Sequence, residues 1–295
     1  MCPKTRHESV LLDEALEWLK VAPGGTYVDG TVGLGGHSLA ILERSAPDGF
    51  LIGLDWHEDS LTLAEERLKA FKGRYVLVRE NFANLRKVLE DLSRLPVDGI
   101  LLDLGISSYL LEGSGGGFSF KLDEPLDMRM DKRIIQTAKD LVNQLSVIQL
   151  EELLKSFGEE RFASRIARAI CEERKKDSIK TTKQLADIVW RAYPPKARRG
   201  KTHPATKTFQ ALRIAVNKEL DNLAKFLREA PDLLKSGGRL VIISFHSLED
   251  RLVKQAFKAD ERLKVLTKKP IAPSPEEIRR NPRARSAKLR AAERI

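Results

Sequence analysis

"YVDGTVGLGGHS", residues 27–38, joins an apolar run to a cluster of glycines. A short apolar piece runs into Asp29, glycines follow at 30, 33, 35 and 36, and His37 and Ser38 close it. A glycine loop between a strand and a helix lets backbone approach a ligand closely, but several cofactors use that arrangement. A triphosphate-binding loop ends in Gly-Lys-Ser/Thr, and this one has no lysine. A dinucleotide fingerprint starting at Gly33 requires a glycine at 38, where Ser38 stands. Two acids remain to be explained: Asp29 before the loop, and Asp55 at the end of the next apolar piece, twenty residues after Gly35. An acid at the second position binds ribose hydroxyls. One before the loop suits a positive amino-acid end better than a pyrophosphate. S-adenosylmethionine carries a ribose, an ammonium and a sulfonium, and so accounts for both carboxylates. The plain alternative makes Asp29 a turn acid and the glycines turn formers.

Around this loop the chain alternates. Residues 9–20 place Leu12, Ala15, Leu16 and Leu19 at helical spacing, with Ser9 as expected N-cap. Apolar pieces at 26–30, 50–55, 75–80 and 97–105 are separated by helical stretches, which predicts a parallel α/β sheet. A further strand is expected over 238–245, after a helix carrying Leu220, Leu223, Leu227, Ala230 and Leu234 that ends at Gly237 and Gly238. Residues 264–269 and 287–294 read as edge strands.

Between Gly105 and Asn217 the chain spends more than a hundred residues where a crossover needs far fewer. The inserted stretch reads as helical. Ser146 with Gln149 and Thr181 with Gln184 stand in capping-box register, and "RFASRIARAI" repeats apolar residues at helical spacing. The expected organisation is a sheet domain over 1–110 and 215–295, interrupted by a helical domain over 111–214.

The 295 residues carry a formal net charge of +10, unevenly spread. Residues 191–218 hold eight Lys or Arg and no acid, and residues 264–295 hold ten against three acids, leaving the rest net acidic. Two localised basic segments suit a nucleic-acid phosphate backbone. The expected RNA contacts are Arg198, Arg199, Lys201, His203 and Lys207 in the first, and Arg283 and Arg285 in the second. A lone loop histidine such as His203 more often has no specific role, and Phe209 is an aromatic more often found in a core than stacked on a base. No apolar run is long enough for a membrane span, and the two cysteines suit a reduced cytoplasm and suggest no metal site.

The fourth apolar piece supplies the chemistry. "ILLDLGISS" places Asp103 at the carboxyl end of a strand, where α/β sheets bind ligands. A carboxylate there can accept from an amine such as cytosine N4. Methylation at cytosine C5 would instead need a cysteine nucleophile; Cys171 sits in an apolar helical register and Cys2 at a chain end. Asp103 could also simply cap the next helix. His246 and Ser247 follow the fifth strand and either line a base pocket or cap a helix, with Ser247 bonding backbone.

Nine segments in order carry a resemblance over nearly the whole chain: "HESVLLDEAL", "VDGTVGLGGHS", "DGILLDLGISS", "GFSF", "PLDMRMD", "GEERFASRIARAI", "HPATKTFQALRIAVNKEL", "ISFHSLEDRLVK" and "NPRARSAKLRAAER". Together they resemble the MraW (RsmH) family of bacterial 16S ribosomal RNA cytosine-N4 methyltransferases. The resemblance implies a class I, Rossmann-like S-adenosylmethionine-dependent methyltransferase sheet, with the helical insertion recognising substrate. It implies methylation of a cytosine in the decoding region of the small ribosomal subunit. Carried over by position, it implies cofactor contacts from Gly33, Gly35, Gly36, His37, Asp55, Phe82 and Asp103. Where the family commonly has Ser-Ser-Pro-Gln with a cofactor-binding glutamine, this chain has "SSYLLEG", so Leu110 holds that place without a side-chain hydrogen bond. Two other classes fit parts of the pattern. A nicotinamide oxidoreductase is disfavoured by Ser38 and the basic segments, and a non-catalytic RNA-binding or assembly factor by the two cofactor acids and Asp103.

Overall fold

The computed structural model describes residues 8–106, 115–200 and 202–295. The chain divides into a sheet unit, residues 1–105 with 220–295, and a helical unit, residues 106–219. The helical unit thus begins and ends about five residues away from the expected limits of 111 and 214.

The sheet unit contains β1 (Thr26–Asp29), β2 (Phe50–Asp55), β3 (Tyr75–Arg79), β4 (Val97–Asp103), β5 (Leu234–Ser244), β6 (Leu263–Val265) and β7 (Lys288–Arg294). Their order is β3-β2-β1-β4-β5-β7-β6, parallel through β5 and antiparallel at β7 and β6. Strand residues alternate between two cores, as period-two geometry requires. Val28, Ile52, Leu54, Ile100, Leu102, Leu240 and Ile242 face one side, against Leu85 and Leu89 of α4 (Leu85–Asp91) and Phe226 of α10 (Glu219–Leu233). Tyr27, Leu51, Leu101, Val241 and Ile243 face the other, against Leu16 and Leu19 of α1 (Leu12–Leu19) and Ile41 and Leu42 of α2 (Gly36–Arg44). Both faces of the sheet are therefore covered, which is why its central strands are apolar throughout.

Four details differ from the sequence reading. Ser9 is not the cap of α1; the cap position is Leu11, with φ 52°, and its N–H is taken by the Glu277 carboxylate at 2.8 Å. Leu234 belongs to β5 and not to the preceding helix, and Gly237 and Gly238 lie inside that strand, where its register with β4 shifts. Residues 288–294 form an interior strand paired on both sides, so of the two expected edge strands the one at 263–265 is an edge and the other is not. The cap of α11 (Ser247–Ala259) is His246, whose Nδ1 accepts from the Glu249 N–H at 3.3 Å, rather than Ser247.

The helical unit holds α5 (Ala138–Gln144), α6 (Val147–Gly158), α7 (Ala163–Arg174), α8 (Thr182–Ala192) and α9 (Ala205–Asn217). Ser146–Gln149 and Thr181–Gln184 form the expected capping boxes, and Thr137–Asp140 makes a third. Cys171 is buried on α7 with Ile166, Ala167 and Ile170, as its apolar register implies. Gly158 permits close packing of α6 on α9, because a Cβ there would meet the Lys207 carbonyl at 2.8 Å. Among the described residues, no helix is long and apolar enough to cross a membrane.

Candidate active site

Three carboxylates end neighbouring strands of the sheet unit: Asp29 on β1, Asp55 on β2 and Asp103 on β4. They lie where β1 is flanked by β2 and β4, the topological switch point at which open α/β sheets bind ligands. The glycine loop is anchored to both neighbours. Gly30 N–H donates to the Leu101 carbonyl at 2.9 Å, and Val32 N–H to that of Leu54 at 3.0 Å. Gly30 cannot carry a side chain, since a Cβ would collide with Leu102. Gly33 and Gly35 have φ of 52° and 76°, the left-handed region that glycine enters without steric cost, and Gly35 is the N-cap of α2. Gly36 is buried, and a Cβ there would run into the Ser9 hydroxyl.

The two acids that flank the loop do different work. Asp55 accepts from Gly33 N–H at 2.8 Å through one oxygen and from His57 N–H at 2.9 Å through the other, so it fixes the loop from the β2 side. Asp29 lies beneath the loop at 1 % exposure, accepting from the Ser38 hydroxyl at 2.6 Å and from Thr31 N–H at 3.2 Å. Its carboxylate is thus engaged in shaping the loop, and the expectation that it meets a cofactor ammonium directly is not what this geometry favours. Ser38, which broke the dinucleotide fingerprint, is the residue that holds Asp29. Thr31 completes the tie by accepting from the backbone N–H of Asp103 at 2.6 Å. Neither partnership could be read from sequence spacing, because Ser38 and Thr31 look like ordinary loop residues.

Asp103 stands apart electrostatically. One oxygen, Oδ1, is buried with no hydrogen-bond partner among the described residues, and the other lies 3.7 Å from His37 Nδ1. His37 is buried at the start of α2, and its Nε2 donates to the Val10 carbonyl at 3.0 Å, which turns Nδ1 toward Asp103. Burial pushes the Asp103 carboxyl well above the usual range, and the charges of Asp29 and Glu249 push it the same way. Asp29 is pushed up to about 6, also chiefly by burial, with its Ser38 and Thr31 hydrogen bonds opposing. Asp55 is raised by burial too.

These shifts have a sign that can be tested. In the folded chain, Asp29 and Asp103 keep protons that the unfolded chain releases above about pH 4. Their contribution to stability is therefore fully present below about pH 4 and is lost as pH rises through about 6 for Asp29 and through the raised value of Asp103. Asp103→Asn cannot ionise, so its melting temperature should gain on the wild type from pH 4 to pH 8. A difference independent of pH would contradict the burial account.

The remaining expected residues are placed as follows. Phe82 is half-buried and meets Phe226 edge-on at 5.7 Å, beside the missing Cβ of Gly30. Leu110 and Lys201 lie outside the described residues. In the sheet unit, Arg283 and Arg285 are exposed in the turn before β7. The rest of that basic run is partly structural: Arg290 is 5 % exposed and bonds Asp250 at 2.6 Å, and Lys288 meets the same carboxylate at 3.3 Å. In the helical unit, Arg199 and His203 are exposed, while Lys207 donates to the Glu159 carbonyl at 2.7 Å and so closes the end of α6. Arg198 bonds the carbonyls of Tyr193 and Arg191 at 3.0 and 3.1 Å. Phe209 is a core residue at 5 % exposure.

A family model described as the MraW methylase family matches residues 4–295. The chain is similar to "Ribosomal RNA small subunit methyltransferase H" of Syntrophus aciditrophicus, 53 % identical with 98 % of each chain covered. It is similar to the protein of the same name from Persephonella marina, at 50 % identity over 98 % of this chain and 99 % of the relative. A match of this extent shows that the chain belongs to the MraW methylase family, on a sheet of class I strand order.

Proposed function

We propose that this protein methylates the N4 amine of a cytosine in the decoding region of 16S rRNA in the small ribosomal subunit. The observation that carries the reading is Asp103 Oδ1, a buried acceptor without a partner among the described residues, at the switch point of the sheet. The names of the relatives support ribosomal RNA of the small subunit as substrate class. The choice of an amine rests on the chemistry of Asp103, and that of cytosine on the pairing of carboxylates with N4.

The donor set fits S-adenosylmethionine: a loop bare of side chains at Gly33, Gly35 and Gly36, Asp55 at the second strand end, and Phe82 beside Gly30. When bound, this cofactor supplies an electrophilic methyl group on a sulfonium. Gly33 and Gly35 let backbone approach it, and Asp55 holds that backbone in place while offering its remaining lone pairs to ribose hydroxyls. Asp103 accepts a hydrogen bond from cytosine N4, turning the amine's lone pair toward the methyl group. As the new bond forms, the nitrogen becomes cationic and must lose a proton. The Asp103 carboxylate beside N4 is placed to take it, with the His37 ring 3.7 Å from its second oxygen.

Asp55→Ala should weaken S-adenosylmethionine binding about tenfold to a hundredfold, because it removes two backbone anchors and an acceptor together. Titration calorimetry measures this, and equal affinity would show that Asp55 is not part of the cofactor site. The reading as a whole is tested by transfer of label from radiolabelled S-adenosylmethionine to small subunits from cells lacking the protein. Cofactor binding without transfer would favour the non-catalytic assembly factor.

A further inference from the structure

Within the helical unit, three rings form a continuous stack. His203 lies between Phe120, 4.6 Å away with planes at 22°, and Trp190, 5.5 Å away at 24°. The stack is held in place from behind. Phe120 meets the buried Phe209 edge-on at 5.2 Å, and His203 Nδ1 accepts from the Ala205 N–H at 3.2 Å, which fixes the ring and leaves Nε2 as the donor. Yet the stack is not core. Trp190 is 39 % exposed and Leu122 beside it 43 %. A cavity of about 500 Å³ opens against these rings, with Lys121, Lys183, Asp123 and Asp187 at its walls. Among the described residues, none of those four charged side chains has an ion-pair partner. On Trp190, the Arg198 guanidinium lies 5.9 Å from the ring centre.

From this arrangement we infer that the Phe120–His203–Trp190 stack is a binding site for one unstacked base of single-stranded RNA. The inference rests on the RNA reading above and adds a site to it, separate from the carboxylates of the sheet unit. Ordered aromatic faces at the surface suit a base, whose π-face stacks on them whatever its identity. Lys121 and Lys183 on the cavity wall supply cations for the flanking phosphates, and the same unit holds the segment 191–218 with eight basic residues and no acid. Asp123 and Asp187 would repel phosphate but can accept from the exocyclic amine of a base. This combination favours a splayed-out nucleotide over an RNA duplex, whose bases are not available to stack.

The test is the affinity of wild type, Trp190→Ala, Trp190→Phe and His203→Ala for a fluorescent single-stranded RNA decanucleotide and for the same sequence as a duplex. Trp190→Ala should lose about tenfold for the single strand, the worth of one base stack, while Trp190→Phe stays within about threefold. His203→Ala should fall with Trp190→Ala, and duplex affinity should stay the same in all three. Trp190 is partly exposed, so its truncation should leave the melting temperature nearly unchanged; if it does not, His203→Ala decides. Single-strand affinity equal to wild type in the folded variants would overturn the site and leave this face to a protein partner. Methyl transfer by the wild type, measured on the same preparation, keeps the two readings apart. Its absence would sink the enzyme reading without touching a Trp190-dependent difference in RNA binding.

Discussion

Asp103→Ala is expected to lower single-turnover methyl transfer by about 10²–10⁴-fold, the range for loss of a general base, with folding intact. The size follows from what the side chain does alone. Asp55 and Asp29 have their oxygens engaged by the loop, whereas Asp103 keeps one buried oxygen without a partner among the described residues. Its removal leaves β4 paired with β1 and β5, and the backbone N–H that meets Thr31 is retained in alanine. Stability should not fall, because a carboxyl held under repulsion by Asp29 and Glu249 is lost. Asp103→Asn separates the two duties: it keeps an acceptor for the amine but cannot take a proton. Its rate should therefore fall with substrate affinity preserved. Rapid-quench measurement with saturating cofactor reads both, and an unchanged rate in Asp103→Ala would remove this residue from the chemistry.

The second large effect is on stability. Asn217→Ala should destabilise the helical unit by about 3 kcal/mol. Asn217, 2 % exposed at the end of α9, accepts from Met130 N–H at 2.8 Å and donates to the carbonyls of Met128 at 2.8 Å and Arg213 at 2.9 Å. Met128 has φ 65°, a left-handed conformation that a non-glycine residue holds only when its surroundings fix it. Gly117 passes so close that a Cβ would strike the Pro125 carbonyl, while Arg129 and Asp127 clasp each other at 2.7 Å. Removing the amide strands buried backbone groups at Met128 and Met130, each worth about 1–3 kcal/mol. Hydrogen exchange at residues 126–131 and along α9 is the measurement. Protection unchanged from wild type would show that the loop holds itself.

These two residues mark the limits of what the sequence discloses. Asp103 was legible because its meaning is local: an acid ending an apolar run between glycine-bounded pieces. The capping boxes at Ser146 and Thr181 were legible for the same reason, since donor and acceptor stand three residues apart. Asn217 was not, because its partners lie almost ninety residues away in a segment, "DMRMD", that has no periodicity of its own. Ser38 and Thr31 were hidden likewise, polar loop residues whose value appears only once β1 and β4 are side by side. The cap of α11 was misplaced because serine is the common N-cap, while here histidine fills the role through Nδ1. Charge counting also overreached in the last thirty residues. Arg290 and Lys288 are held by Asp250 and not presented to solvent as a pair of free cations. The glycines at 237 and 238 read as a helix stop, yet they lie inside β5, at the irregularity where its register with β4 shifts.

The atom that receives the methyl group is identified by digesting labelled 16S rRNA, methylated by this protein in isolated small subunits, to nucleosides and determining the product by mass spectrometry. Label is expected in N4-methylcytidine, and Asp103→Ala should yield almost none. Label in 5-methylcytidine, or on any nucleoside lacking an exocyclic amine, would contradict transfer to N4.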